Sequence, residues 1–206
     1  MSTKNLIFGL MLSTFAMIAA CSKDDDKDVV PDLDTDNELV YQGQMYPLNA
    51  GAFDVWGVDE DIPQDPHFNQ EFYVFDISRA DDNLVPVYVF VDLYSAGESF
   101  SGGTFPFMDP RQDDVHNKHY FDNGFVLFNM HLDSEEAESF YAIEGGTVNV
   151  SGSGRQYAIT FDLLLDNGAR VTGSYGGTFE NMDNVQANTG PINHTIQLIK
   201  TTKGHP

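Results

Sequence analysis

Between Tyr157 and Leu165 every second residue is apolar: Tyr157, Ile159, Phe161, Leu163 and Leu165, with Ala158, Thr160 and Asp162 among the residues between them. Successive side chains of a strand point to opposite faces, so this period of two describes a strand with one face on a core. Asp166-Asn167-Gly168 follows as a turn, and Ala169 to Tyr175 returns. The stretch is expected to be one antiparallel hairpin with a type I′ turn at Asn167-Gly168, since Asn and Gly tolerate positive φ best. Ile159, Phe161 and Leu163 should face the core, and the residues between them should be more exposed.

The rest of the chain up to that hairpin reads the same way. Glu38 to Tyr41 and Gln44 to Leu48 flank Gln42-Gly43 as an opening hairpin, and Asn49 to Gly57 continues extended. Val58 to His67 is acidic, and Pro63 and Pro66 argue against strand pairing there. Phe68 to Ser78 is rich in β-formers. Leu84 to Tyr94 carries Val85, Val87, Val89 and Val91 on one face and Pro86, Tyr88, Phe90 and Asp92 on the other, which suggests cover on both sides over part of its length. Thr104 to Phe107 is a short extended piece, Met108 to Tyr120 a polar loop and Phe121 to Leu132 another strand. Asp133 to Glu138 is the best place for a helical turn, because acids gather near a capping start, and reads equally as a solvated loop. Thr147 to Ser151 alternates, and Ile192 to Lys200 is expected as a final strand. Many strands between Gly-rich turns, with no helix of normal length, predict an all-β fold: a two-sheet antiparallel β-sandwich, with a closed β-barrel as the alternative.

Composition narrows the function. Asp and Glu number 32 against 10 Lys and Arg, so phosphate backbones are repelled and nucleic-acid binding is not expected. Cys21 is the one cysteine, which excludes a disulfide within the chain. No cofactor motif occurs, and no cofactor is expected.

The chain begins with Lys4, an apolar run from Leu6 to Ile18, and then Ile18-Ala19-Ala20-Cys21. That run is of secretory length and short for a membrane span. The arrangement resembles a bacterial lipobox. The resemblance implies cleavage before Cys21 and acylation of that residue, a stable anchor because several acyl chains exceed the marginal binding of one. Ser22-Lys23-Asp24-Asp25-Asp26-Lys27 follows. It resembles the acidic export signal of Bacteroidota surface lipoproteins, which implies an outer-membrane protein facing the cell exterior, with the membrane as a partner through its N-terminal lipid. The succession Gly-Thr-Val-Asn-Val-Ser, Tyr-Ala-Ile-Thr-Phe-Asp, Asp-Asn-Gly and Gly-Ser-Tyr-Gly-Gly-Thr-Phe also resembles the ending of uncharacterised members of that group, and it implies no catalytic residues. The chain then divides into a signal peptide (1–20), a lipidated cysteine with an acidic tether (21–37) and one all-β domain (38–206).

Candidate chemistry is sparse. Asp109, Asp113, Asp114, His116 and His119 share one polar loop and are residue types that bind divalent metals, but a solvated loop is the better reading. Asp59-Glu60-Asp61 and Asp81-Asp82-Asn83 can offer oxygens to calcium, yet neither belongs to a twelve-residue loop with the required ligand positions. No Gly-x-Ser-x-Gly elbow is present. Trp56, the one tryptophan, lies beside Gly57 and before the acidic loop, and is the best single candidate for an exposed ligand-binding anchor. The expectation is a non-catalytic surface module that binds a glycan, peptide or partner protein. The alternatives are an extracellular polymer hydrolase and a structural or adhesive subunit of an envelope assembly.

Overall fold

The structure is a computed structural model that describes residues 35–58, 65–134 and 136–184. The leader, Cys21 with the export stretch Ser22 to Lys27, Asp59-Glu60-Asp61 and the expected strand Ile192 to Lys200 lie outside the described residues. The described residues form ten strands in order: β1 (Glu38–Tyr41), β2 (Gln44–Pro47), β3 (Ala50–Val58), β4 (His67–Phe75), β5 (Leu84–Ala96), β6 (Gly103–Pro106), β7 (Tyr120–His131), β8 (Glu136–Ser153), β9 (Gln156–Leu165) and β10 (Arg170–Asn181). Among the described residues the helical elements are two 3₁₀ turns, Ala80–Asp82 and Met182–Asn184.

The strands form a two-sheet β-sandwich, as expected. Sheet A runs β2-β1-β10-β9-β8-β6 and sheet B runs β10-β3-β4-β5-β7-β8. Two strands belong to both. The first part of β8 pairs with β7 as far as Ala142, and from Ile143 onward the same strand pairs with β9. β10 pairs antiparallel with β9 from Arg170 to Thr178, and its last residues, Phe179 to Asn181, pair with β3. That last pairing is parallel, whereas the other ladders are antiparallel. β8 crosses between the sheets at a register shift between Ile143 and Gly145. Gly146 follows at φ 114°, and a side chain there would run into the Asp162 carbonyl, so the crossing needs a residue without a Cβ.

The main core lies between the inner faces. It joins Phe72, Val74, Val87, Val89 and Val91 of sheet B to Val148, Ile159, Phe161, Leu163 and Val171 of sheet A. Aromatic rings interlock within it: Tyr157 meets Phe72 edge-on at 5.1 Å and Phe179 at 5.7 Å between centroids. A second apolar cluster lies on the other face of sheet B, with Ala52, Tyr73, Phe75, Tyr88, Phe90 and Met130. β5 is therefore buried on both sides, as its valines and aromatics suggested.

The opening hairpin turns at Gln42 (φ 51°) and Gly43 (φ 80°) as expected for a two-residue loop. The β9–β10 hairpin forms with Tyr157, Ile159, Phe161, Leu163 and Leu165 buried and Thr160 and Asp162 exposed; Ala158, 3 % exposed, departs from the alternation. Its turn differs from expectation. The Leu165 N–H donates to the Ala169 carbonyl, which leaves a three-residue loop, and only Gly168 has positive φ. The Asn167 side chain explains why: its Oδ1 accepts the Ala169 N–H at 2.9 Å and its Nδ2 donates to the Tyr41 hydroxyl at 3.0 Å. The helical turn expected at Asp133 to Glu138 is also corrected, since β8 starts at Glu136. Glu136, Glu138 and Phe140 are exposed while Ala137 and Ser139 are less so, a period of two that serves a strand, and Ala137 pairs opposite Met130.

Candidate functional site

One end of the outer face of sheet B changes from apolar to polar. Along β5, Tyr88 and Phe90 give way to Asp92 and Tyr94; along β4, Phe75 and Tyr73 give way to Glu71 and Asn69. The register sets Asp54 of β3 opposite Glu71, and Glu71 opposite Asp92. Residues directly opposite on neighbouring strands share a face, so three carboxylates form one row across three strands.

β3 ends above this row with a bulge. Val55 pairs with Gln70 and Gly57 with Asn69, which makes Trp56 the extra residue. A bulge kinks the strand and redirects the side chain it carries, and Trp56 is left 64 % exposed. Gly57, at φ 89°, completes the kink in a conformation that side-chain-bearing residues rarely adopt.

Trp56, Gly57, Val58, Asn69, Glu71, Asp92 and Tyr94 line a cleft of about 410 Å³. Its polar groups are held in place. Asn69 Nδ2 donates to Asp92 Oδ1 at 2.5 Å, the Tyr94 hydroxyl lies 3.4 Å from Asp92 Oδ2, and the Tyr73 hydroxyl donates to Glu71 Oε2. Burial, with the neighbouring Tyr88 and the charge of Glu71, pushes the Tyr73 hydroxyl far above its ordinary range; burial and Glu71 do the same to Tyr88. Tyr73 therefore stays a donor at any physiological pH and fixes the orientation of Glu71. Tyr94 in turn stacks on Tyr120, with centroids 4.8 Å apart and planes 6° from parallel.

No family model matches the chain, and neither a curated protein nor a solved structure matches it.

Among the described residues the remaining candidates do not converge. Asp109 accepts from Arg111 Nε at 2.9 Å and Gln112 Nε2 at 2.6 Å, and these bonds hold its carboxyl down at about 2. Asp113 accepts the Asp109 backbone N–H, and Asp114 faces Lys118 Nζ at 3.4 Å. His116 turns away to Asp65, with Nδ1 3.1 Å from Oδ1. His119 stacks on Phe105 at 4.9 Å and accepts the Ala96 N–H through Nδ1. Asp81 and Asp82 sit in a 3₁₀ turn, where Asp82 pairs with Arg79. Among the described residues no three His, Cys, Asp or Glu side chains are grouped to hold a metal ion.

Among the described residues, Trp56 is the one sequence candidate that lies on the cleft. Asn69, Glu71, Asp92 and Tyr94 were missed. Their signal was an acid and its polar neighbour set inside strands otherwise made of β-formers, where a charge costs energy unless it is paired or solvated. Chemically, the cleft combines fixed carboxylate acceptors, an amide and an exposed indole. That set suits a ligand with many hydroxyl donors and an apolar face, and its charge repels anions.

Proposed function

We propose that this chain is a surface-anchored outer-membrane lipoprotein whose cleft binds an uncharged extracellular glycan without reacting with it. The supporting observation is the exposed bulge residue Trp56 set beside the carboxylate and amide row. A sugar ring laid on the indole would present its hydroxyls to Asp92, Asn69 and Glu71, the division of labour between apolar platform and polar orienting groups found in small-molecule sites. Lipid attachment at Cys21 and export through Ser22 to Lys27 would hold the cleft at the cell exterior, where polysaccharide is met.

The test is a glycan array with the mature-length chain, repeated for Trp56→Ala and Asp92→Asn. Binding of a neutral glycan that weakens about tenfold or more in both variants is the expected outcome, equal to at least about 1.4 kcal/mol. Undiminished binding by both variants would remove the cleft from the function. Binding confined to peptides would replace the glycan with a partner protein. Release of new reducing ends, lost in Asp92→Asn, would favour hydrolysis, a reading that the direct opposition of Glu71 and Asp92 keeps in view.

A further inference from the structure

The polar row on the outer face of sheet B does not stop at the cleft. The cleft is lined from β3, β4 and β5, and β7 is the next strand along. Its register sets Asn123 opposite Asp92, which Glu71 opposes from the other side. Opposed residues share a face, so Asn123 carries the row of Asp54, Glu71 and Asp92 onto a fourth strand. The alternation along β7 agrees, because Phe125, two residues on, packs against Phe90 of the outer-face cluster at 4.9 Å between centroids. Asn123 is exposed and Phe125 only partly buried. An amide therefore stands beside an accessible ring, the combination that Asn69 and Trp56 provide at the other end.

The backbone bends along the same line. On β3 the extra residue is Trp56, between the pairs Val55–Gln70 and Gly57–Asn69. On β7 it is Asp122, between the pairs Asn123–Asp92 and Phe121–Leu93. Gln70 and Leu93 are themselves paired across β4 and β5, so the two bulges lie at one level on either side of that central pair. A bulge bends its strand and increases the local twist. Two at one level crease the sheet across its strands, and the polar row runs along the crease. A pocket confined to Trp56 needs only the first bulge. From β3 to β7 is three strand spacings, roughly 14 Å. A pyranose unit advances an extended chain by about one such spacing, so the crease is longer than one sugar.

We propose that the cleft is the first subsite of a trough for a linear, neutral oligosaccharide, which crosses β3, β4, β5 and β7 and ends on Asn123 and Phe125. This rests on the glycan-binding reading above and adds chain length as the property selected. The first sugar lies on Trp56 with its hydroxyls toward Asn69 and Asp92. A later sugar meets the Asn123 amide, which both donates and accepts, and lays its apolar face on Phe125. The carboxylates of the row keep anionic chains out.

Titration calorimetry across chain length tests this. The probes are neutral gluco-, manno-, galacto-, xylo- and N-acetylglucosamine oligosaccharides, from disaccharide to pentasaccharide. In a series that binds, the tetrasaccharide should bind at least about tenfold tighter than the disaccharide, and Asn123→Ala should reduce that ratio at least about threefold. Asn123 is exposed, so its replacement leaves the core in place. Equal affinity for disaccharide and tetrasaccharide overturns the trough and leaves the cleft as a short site. A gain with length that survives undiminished in Asn123→Ala overturns it as well, since the chain then leaves Trp56 in another direction. Should no series bind, the glycan reading falls and the trough with it.

Discussion

β9 in sheet A and β5 in sheet B both contribute to the central core, but they present different second faces. β9 buries Ile159, Phe161 and Leu163 and exposes Thr160 and Asp162 between them. β5 buries Val87, Tyr88, Val89, Phe90 and Val91 in succession. Alternation therefore reports one-sided burial, and its loss within a run of β-formers reports burial on both faces. The same comparison marks the cleft, because β5 changes from Phe90 to Asp92 on its outer side where the cleft begins.

The largest expected effects test this difference directly. Phe161→Ala and Phe90→Ala should each cost about 3–5 kcal/mol in urea denaturation, since each empties a buried aromatic site. Thr160→Ala should cost within about 1 kcal/mol. A Phe90→Ala cost no larger than that of Thr160→Ala would make sheet B one-sided like sheet A and break the comparison.

The junction between the sheets comes next. Gly146→Ala should destabilise by roughly 1–3 kcal/mol from backbone strain at φ 114°, with a further cost for the approach to the Asp162 carbonyl. A neutral result would mean that β8 crosses between the sheets without needing this residue. A smaller effect, of opposite sign, is expected inside β4. Gln70 is 3 % exposed and its Nε2 has no hydrogen-bond partner among the described residues. Gln70→Leu should stabilise by about 1 kcal/mol, because it removes an unsatisfied buried donor; a loss of stability would show that the amide does bond.

The smallest effect is at the loop that buttresses the cleft end of sheet B. Burial raises the Asp65 carboxyl, but the Asn117 backbone N–H and the His116 ring outweigh it, and the net position is below the ordinary value. A carboxyl lowered on folding stabilises fully above its unfolded value of about 3.9 and loses that contribution as pH falls through the folded value. Asp65→Asn should therefore flatten the acid limb of stability below about pH 4. An acid limb identical to that of the parent would deny Asp65 this role.

What the sequence disclosed depended on the distance over which each signal acts. The β1–β2 and β9–β10 hairpins are local, and alternation together with a turn sequence specified both. The turn type in the second was misread because Asn167 is recruited by Tyr41, far away in sequence. Glu136 and Glu138 resembled a helix start only until their alternation with Ala137 and Ser139 was set against β7. Trp56 stood out because it is a single large side chain beside a glycine. Its partners Asn69, Glu71, Asp92 and Tyr94 meet only after three strands align in register, and no local pattern specifies that alignment.

The parallel contact of β10 with β3 has a consequence for the order in which the chain folds. Gly51 meets Phe179 across this ladder, so a residue near the start of the described chain waits for one near its end. Closing so long a loop costs entropy before any contact repays it, and folds rich in such distant pairings form slowly. β3, β4 and β5 can assemble as a meander while the free edge of β3 remains unpaired. Until residues 179–181 arrive, that edge is open to pairing with another chain. In a chain made from its N-terminus this edge would stay exposed until most of the described residues had appeared, and β10, the last described strand, would be the one that seals it.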